Sequence, residues 1–419
     1  MIKNWEGVSI VFAYSHSLET SLRNEIFNGY NKDARPVQKT IVICNVKILS
    51  LKDINTRDQT MTTVAYFSFS WDDTRLSWAS KPAYSSDIER IYSTETVLFT
   101  PSVVVENSIN DLGVISDKTL PMRIDKSGQV TWSPGNIYET SCDIDTTLYP
   151  FDKQTCSITL TTRGYIRTEV ELRLGKMPIV LTAYQENGEW DYISSSSDVS
   201  ITTRDLLQYS TLTFTFTFQR RSSYHLISTI IPMFLLAFMS CYVFKLPVDA
   251  GEKLGYCLTV LLAFAVYLTL VSDNIPTTST TISYLSVYLL LMLGMGVISV
   301  LLTIHVIDIN FTSEEEEIPR CLRRITRIIS KVVCWKSNGV CCKGRNSSVS
   351  VINVKSKDVR LHSKKADIDA NLDDDVKEED FSWQDIAKVL DIFLFRVYLC
   401  LVIMLSVMFI SVISFGTLW

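Results

Sequence analysis

The spacing of hydrophobic and polar positions divides the chain into two parts. Up to about residue 220, short runs alternate between apolar and polar residues, as in "TVAYFSFSW" and "TLTFTFTFQ". In the second run this alternation places Phe214, Phe216 and Phe218 on one face. Such runs at short intervals, separated by turn signals, predict an antiparallel β-sandwich. One helix should precede it, because "SLETSLRNEIF" has helical periodicity.

After residue 220 the pattern changes to long apolar segments. Four of them, at about 226–244, 254–271, 282–307 and 392–415, are long enough to cross a bilayer as helices. The stretch "EEDFSWQDIAKVLDIFLF" predicts a helix that runs without a break into the fourth span. The predicted fold is therefore an all-β sandwich with an N-terminal helix, followed by a four-helix transmembrane bundle. The predicted domains are 1–220, 221–307, a cytoplasmic segment 308–390 whose middle is disordered, and 391–419.

Charge indicates how the spans are oriented. The stretch 320–345 carries eight Lys or Arg and no acid, which places the loop after the third span in the cytoplasm. Four spans then put the N-terminal domain and the C-terminus outside the cell. No apolar signal segment opens the chain, so its numbering is expected to start near a mature N-terminus.

The cysteines fit this orientation. Cys142 and Cys156 bracket "CDIDTTLYPFDKQTC", and an extracellular location predicts that they form a disulfide. Cys44 lies in the apolar run "TIVICNVKI" and is expected to be a buried free thiol.

Composition excludes several classes of function. A net charge of −5 argues against nucleic-acid binding. The four histidines are scattered, and the sequence contains no HExxH, phosphate loop or GxGxxG. "DIDTTLYPFDKQ" lacks the central Gly and final Glu of a calcium loop. We therefore expect no enzyme, no cofactor and no metal site.

The second span carries the candidate chemistry. Residues at spacings of four, three, four, three and four form one stripe of mainly small or hydroxylic side chains: Gly255, Thr259, Leu262, Val266, Thr269 and Asp273. Glu252 and Asp273 are 21 positions apart, about 31 Å on a helix.

Taken singly, Glu252 fits a first-turn acid that interacts with the helix dipole, and Asp273 fits a solvated helix end. Together with the stripe they predict the two mouths of a water-filled pore, built from several copies of the chain. Rings of acid at the mouths would attract cations. Leu262 and Val266 would form an apolar gate that closes by dewetting.

Four motifs carry a family resemblance. "IFNGYNKDARPV", the thirteen residues between Cys142 and Cys156 with "YPFD" inside, "QRRSSYHLISTIIP" and "LPVDAGEKLGYCLTVLLAF" resemble Cys-loop receptors, the pentameric neurotransmitter-gated channels, and nicotinic acetylcholine receptor subunits in particular. The resemblance implies a plasma-membrane homopentamer or heteropentamer with a small-molecule agonist bound between subunits. Anion-conducting members have a Pro-Ala pair where this chain has Gly251-Glu252, which implies permeation of sodium and potassium.

The resemblance also assigns coupling residues. In the family, part of the closed loop presses onto the link after the second span, here near Pro276; the matching residues are Tyr149, Pro150 and Phe151. Arg220 matches the family's buried arginine below the sandwich, and Asp152 is its expected partner. The alternative for Arg220 is simple anchoring at the membrane interface.

The agonist site departs from the family. Acetylcholine receptors bind a quaternary ammonium in an aromatic box. Here two box aromatics correspond to Glu106 and Arg163, whereas Tyr209 and, on the complementary face, Tyr66 remain. Three interpretations are open: Arg163 pairs with Glu106 and fills the site, Arg163 holds a carboxylate ligand, or the alignment is shifted. Acetylcholine is therefore not the expected agonist.

Two other functions of the same fold compete with a cation channel. One is a non-conducting or partner-dependent receptor subunit, against which the intact polar stripe argues. The other is an anion channel, against which Gly251-Glu252 argues. The basic segment 320–345 is either a solvated charge run or a contact with anionic membrane lipid.

Overall fold

A computed structural model describes residues 15–110, 113–248, 251–273, 282–313, 316–333 and 381–418, without side chains at 332, 333, 417 and 418. The chain divides into two compact units. The first contains the chain up to Ile231 together with Thr269–Val287 and Ile410–Trp419. The second contains Pro232–Leu268 and Tyr288–Phe409.

The N-terminal domain is the predicted sandwich of two sheets. Its strands in the described residues are β1 Thr40–Asn55, β2 Thr60–Asp72, β3 Arg90–Ser93, β4 Val103–Val105, β5 Met122–Asp125, β6 Gln129–Trp132, β7 Gly135–Ser141, β8 Lys153–Thr162, β9 Val170–Val180, β10 Trp190–Arg204 and β11 Leu207–Arg220. One sheet has the order β3-β5-β6-β2-β1-β9, with β7 also paired to β2, and the other has the order β10-β11-β8-β4. The pairing of β1 with β9 is parallel, so the sandwich is not wholly antiparallel as predicted.

Alternating side chains build the core between the sheets. Phe214, Phe216 and Phe218 are all buried, as their spacing predicts. They pack in one cluster with aromatic residues of the other sheet, including Phe67 and Trp132. Burying a large apolar side chain stabilises a fold by roughly 1.5–3 kcal/mol, so this shared face fixes how the two sheets pack. Cys44 is a buried free thiol in the same cluster, as predicted, and burial raises its pKa.

The described part of this domain also contains two short helices and a 3-10 turn at Thr74–Leu76. Helix α1 spans His16–Ile26 and confirms the predicted N-terminal helix; α2 spans Pro82–Ser85. The hydroxyl of Ser15 accepts a hydrogen bond from the Leu18 backbone and so caps α1. The buried face of α1 consists of Leu22 and Ile26, one turn apart.

Among the described residues, four helices are long and apolar enough to cross a membrane: α3 Ser223–Lys245, α4 Lys253–Ser272, α5 Tyr284–Phe311 and α7, whose spanning part is Trp383–Gly416. Helix α3 contains a π-helical turn at Leu226–Ile230, an α-helical segment at Ile231–Cys241 and a 3-10 turn at Tyr242–Lys245. Helix α7 is continuous over Trp383–Leu418, which confirms the helix predicted before the fourth span. The proposed boundary after residue 390 therefore falls inside a helix.

A further helix, α6, spans Arg320–Val333 in the segment predicted to be a cytoplasmic loop. Its helical period is difficult to see in the sequence because basic residues are frequent, but the buried positions Ile329 and Ser330 lie three and four residues after the buried Thr326 and so share its face. Ile329 packs against Val389 of α7. The predicted disorder in the middle of this segment concerns residues outside the described ranges.

Candidate functional site

The loop closed by Cys142 and Cys156 is internally braced. The two cysteines form the predicted disulfide between the end of β7 and β8. Inside the loop, the Gln154 side chain accepts a hydrogen bond from the Asp145 backbone N–H at 3.0 Å and donates one to the Asp145 carbonyl at 2.7 Å. The Asp145 carboxylate also accepts from the Thr147 backbone at 2.9 Å. The loop is thus held as a unit by covalent and polar bonds.

Arg220 ends β11 and forms a buried ion pair with this loop. Its Nε donates to Asp152 Oδ1 at 2.9 Å and its Nη2 to Asp152 Oδ2 at 3.2 Å. The two side chains are 4% and 1% exposed. A bidentate pair of this kind has a defined geometry as well as charge. The predicted partner of Arg220 is therefore the one that it contacts.

Further residues surround Arg220. Its guanidinium lies 4.2 Å from the ring centroid of Trp190 and 5.2 Å from that of Tyr149, so it is held by two aromatic faces. Its Nη1 donates to Glu189 Oε1 at 2.6 Å. The sequence did not predict Glu189 or Trp190, because they lie about thirty positions away and carry no motif.

His225, at the start of α3, connects to the same cluster. Its Nδ1 lies 3.1 Å from the Tyr149 hydroxyl, and its Nε2 lies 3.8 Å from Glu189 Oε1. The neighbouring His225 imidazole and, after it, the positive charge of Arg220 lower the pKa of Glu189 despite partial burial. The loop, the end of β11 and the first turn of α3 therefore form one polar cluster around Arg220.

The closed loop also contacts two other segments of the same compact unit. The Thr147 carbonyl accepts a hydrogen bond from the Tyr284 backbone at the start of α5, at 3.1 Å. Leu148 lies against Gly416 near the end of α7, where a Cβ on residue 416 would come within 2.5 Å of it. Pro276, the predicted contact point, lies outside the described residues, so the action of Tyr149, Pro150 and Phe151 on it stays a prediction.

At the candidate agonist site, Glu106 pairs with Arg204 and not with Arg163. Arg204 Nη2 lies 2.5 Å from Glu106 Oε1, and its guanidinium lies 5.3 Å from the ring centroid of Tyr209. Both charged side chains are about one-third exposed. The proposed pairing of Arg163 with Glu106 is therefore wrong.

Hairpin geometry explains why Arg204 takes this place. Asp205 and Leu206 both have positive φ, as the two central residues of a type I′ hairpin require. The tight turn pairs Arg204 with Leu207 at the end of the β10–β11 ladder. Arg163 follows the end of β8 and is exposed, and its side chain makes no hydrogen bond or salt bridge to any described residue.

Tyr66 is placed on the other sheet, on β2, and is 44% exposed. Its ring lies over Gly135, where a Cβ would come within 2.3 Å of two ring carbons. A glycine is therefore needed at residue 135 for the ring to keep this position. Each chain thus presents Tyr209 with Glu106 on one sheet and an exposed Tyr66 on the other.

The predicted pore stripe is exposed in the single chain. Gly255, Thr259, Leu262, Val266, Thr269 and Asp273 are all exposed, with Leu262 the most open of the stripe's apolar residues at 64%. The opposite face of α4 is buried through Cys257, Phe264 and Val271. Glu252, immediately before α4, is also exposed. Within the described residues, the other helices of this chain therefore leave the stripe uncovered.

Lys253, the residue after Glu252, is buried. Its Nζ lies 2.5 and 2.6 Å from the two carboxylate oxygens of Asp391 on α7. The lysine side chain is 1% exposed and that of Asp391 is 11% exposed. The pair joins the beginning of the second span to the beginning of the fourth, and the sequence did not predict it.

Comparison with known proteins covers most of the chain. The profile of the neurotransmitter-gated ion-channel ligand binding domain matches residues 19–222. The profile of the neurotransmitter-gated ion-channel transmembrane region matches residues 229–375. The first match covers the sandwich, and the second begins within α3.

Individual relatives agree with these profiles. The neuronal acetylcholine receptor subunit alpha-2 of Homo sapiens is 30% identical over 301 residues, which is 70% of this chain and 56% of that protein. Its counterpart in Gallus gallus is 31% identical over the same length, with the same shares. The acetylcholine receptor subunit beta of Xenopus laevis is 27% identical over 343 residues, 78% of this chain and 69% of that protein. The chain thus spans just over half the length of the alpha-2 subunits from human and chicken.

Proposed function

Because the chain belongs to the neurotransmitter-gated ion-channel family, we propose that it is a subunit of a cation-selective pentameric channel gated by an extracellular ligand other than acetylcholine. It is a multi-pass plasma-membrane protein whose N-terminal domain is extracellular. The observation that carries the proposal is the exposed stripe of α4, with a carboxylate at each end.

The stripe can line a pore only together with the same stripe of identical or related subunits. A single helix cannot enclose a pore, and the other helices that the structure describes leave this face of α4 open. Closed rings of identical or related subunits bring such faces together around one axis. Glu252 and Asp273 then form carboxylate rings at the two mouths, and sodium and potassium are the permeant ions that we expect. Leu262 and Val266 supply the apolar constriction between them.

We expect Glu252→Gln to reduce selectivity for cations. The ratio of cation to anion permeability should fall about tenfold, because carboxylates close to a permeant ion attract cations even at an effective dielectric constant of about 20. The measurement is the shift in reversal potential when external sodium chloride is diluted. Glu317→Gln, at an exposed acid after the third span, is the matched control and should leave the reversal potential unchanged. An unchanged reversal potential in Glu252→Gln channels would show that the Glu252 carboxylates do not contribute to cation selectivity.

The ligand proposal depends on the cluster of Arg204, Glu106 and Tyr209. A guanidinium already lies beside a carboxylate and an aromatic ring, which are the groups that would otherwise attract an amine. An amine ligand would have to displace this arginine. Exposed ion pairs are weak, so the cluster opposes amine binding without preventing it absolutely.

We expect Arg204→Ala to improve binding of acetylcholine about fivefold, because it frees Glu106 and Tyr209 for a quaternary ammonium. Titration calorimetry on the purified full-length receptor would measure this. Arg163→Ala removes an equal charge from a neighbouring exposed position and should have little effect. If only Arg163→Ala improved acetylcholine binding, Arg163 would be the arginine that opposes the amine, and the role given to Arg204 would be contradicted.

The same cluster favours a second candidate, a partner-dependent or non-conducting subunit. A subunit whose own site holds an internal cation could take part in a heteropentamer in which neighbouring subunits bind the agonist. Currents from cells expressing this chain alone, with surface protein verified, separate the two candidates. Current in any agonist condition supports the homopentamer, whereas current only on co-expression of a second subunit supports the partner-dependent subunit.

A further inference from the structure

A cavity of about 500 Å³ lies at the ends of three helices in the second compact unit. Its walls come from the end of α3 and the residues that follow it, from Asn310 near the end of α5, and from the beginning of the spanning part of α7. In the orientation of this family these are cytoplasmic ends, and the basic helix α6 follows α5 on that side. The cavity therefore lies at the depth of the inner lipid headgroups.

The cavity combines apolar walls with a cationic border. Phe244, Leu246 and Phe395 are among its apolar lining residues. Lys245, Lys388 and Arg396 also line it, and all three are exposed. Within the described part of the chain, none of these three cations forms a salt bridge.

The one acid among the lining residues does not neutralise them. Asp391 lines the cavity, but both of its carboxylate oxygens are bound by Lys253. On α7, Lys388, Asp391, Ile392, Phe395 and Arg396 follow helical spacing and so share one face. Asp249, which follows the last lining residue of the α3 side, lies outside the described residues. Lys245 Nζ lies 6.0 Å from the ring centroid of Tyr242, a distant cation–π contact that leaves its charge in place. The lining side chains thus present apolar surface together with positive charge that no acid among the described residues neutralises.

We infer that this cavity binds the headgroup and upper acyl chain of one anionic phospholipid from the inner leaflet. Lys and Arg side chains bind phosphate through charge-assisted hydrogen bonds. The apolar walls suit the first acyl carbons of a lipid, which a free phosphate lacks. The volume falls in the range of small-molecule sites, large enough for a headgroup with its glycerol but not for a whole lipid. This inference is independent of channel gating and goes beyond the proposed function.

The test measures lipid binding to purified full-length receptor in nanodiscs that contain phosphatidylcholine with increasing fractions of phosphatidylserine. Native mass spectrometry reports the phosphatidylserine bound per subunit. The triple variant Lys245→Gln, Lys388→Gln and Arg396→Gln should weaken binding about a hundredfold if the contributions add, because each cation at an anionic surface contributes about fivefold. The matched control replaces Arg320, Arg324 and Arg327, three exposed arginines of α6 that do not line the cavity, by Gln.

A second variant, Leu246→Trp, fills the cavity without changing its charge. Reduced binding in this variant and in the triple variant, with binding retained in the α6 control, supports the inference. Equal losses in the triple variant and in the α6 control would show a diffuse surface attraction and overturn it. Equal competition by glycerophosphoserine, which has the headgroup but no acyl chains, would identify a free-anion site and also overturn it. Undiminished phosphatidylserine binding in the triple variant would also overturn the inference.

Discussion

Asp391→Ala is expected to prevent most of the protein from reaching the cell surface, because it leaves the Lys253 ammonium buried without a counter-charge. Lys253 is 1% exposed on its side chain, and Asp391 supplies both oxygens that contact its Nζ. Removing one partner of a buried ion pair costs about 3–5 kcal/mol. Whole domains are stable by only about 5–15 kcal/mol, so this single change takes a large part of the stability.

Surface biotinylation and the thermal unfolding of solubilised receptor would measure this effect. The double variant Lys253→Met with Asp391→Leu is the variant to compare with it, because apolar residues of similar size often replace a buried ion pair without loss of stability. It should recover most of the surface protein that Asp391→Ala loses. Gln384→Ala, at an exposed position of the same helix that does not line the cavity, should behave like the unaltered chain. Normal surface levels in Asp391→Ala would show that Lys253 does not depend on this partner.

The Lys253–Asp391 pair also bears on the proposed pore. Glu252 and Lys253 are adjacent, yet Glu252, which lies immediately before α4, is exposed, whereas Lys253, the first residue of α4, is buried. Holding the ammonium against α7 keeps a positive charge away from the carboxylate ring that we propose at the mouth. Asp391 would thereby support cation selectivity without touching the permeant ion.

Much of the fold could be predicted because it depends on local periodicity. The alternation of Phe214, Phe216 and Phe218 and the long apolar spans both repeat within a few residues. Asp152 could be named as the partner of Arg220 only because the family resemblance located that arginine. The period of α6 was missed because arginines separate its buried positions.

The contacts that sequence did not predict join distant positions or depend on a turn. Lys253 and Asp391 are 138 residues apart, and neither belongs to a motif that requires the other. Arg204 reaches Glu106 because of the hairpin turn at Asp205 and Leu206, where two non-glycine residues adopt positive φ. Type I′ turns are usually marked by Asn-Gly or Asp-Gly, so Asp-Leu gave little signal. The pairing of Arg163 with Glu106 was a wrong prediction for the same reason, whereas the place of Arg163 in the ligand site stays a prediction.

Arg220→Gln is the second change for which we expect a large effect, and Arg221→Gln is its matched control. Arg220 is buried with Asp152, and its guanidinium lies near the rings of both Trp190 and Tyr149. The variant leaves the Asp152 carboxylate, whose side chain is 1% exposed, without its cation. The expected cost is about 3–5 kcal/mol of folding free energy. Arg221 pairs with the exposed acids Asp191 and Glu186, and such surface pairs contribute little.

The comparison of the two arginines decides between the two roles considered for Arg220. Arg220 and Arg221 are adjacent and lie just before the first span. If they only anchored the chain at the membrane interface, the two variants would lose similar amounts of surface protein and thermal stability. A structural ion pair within the sandwich–loop cluster makes only the Arg220 variant lose surface protein and thermal stability. Asp152→Asn should then resemble Arg220→Gln, because it leaves the same pair incomplete from the other side. Equal, small losses for Arg220→Gln and Arg221→Gln would favour anchoring, and the cluster around Arg220 would then have no dominant part in holding the closed loop to β11.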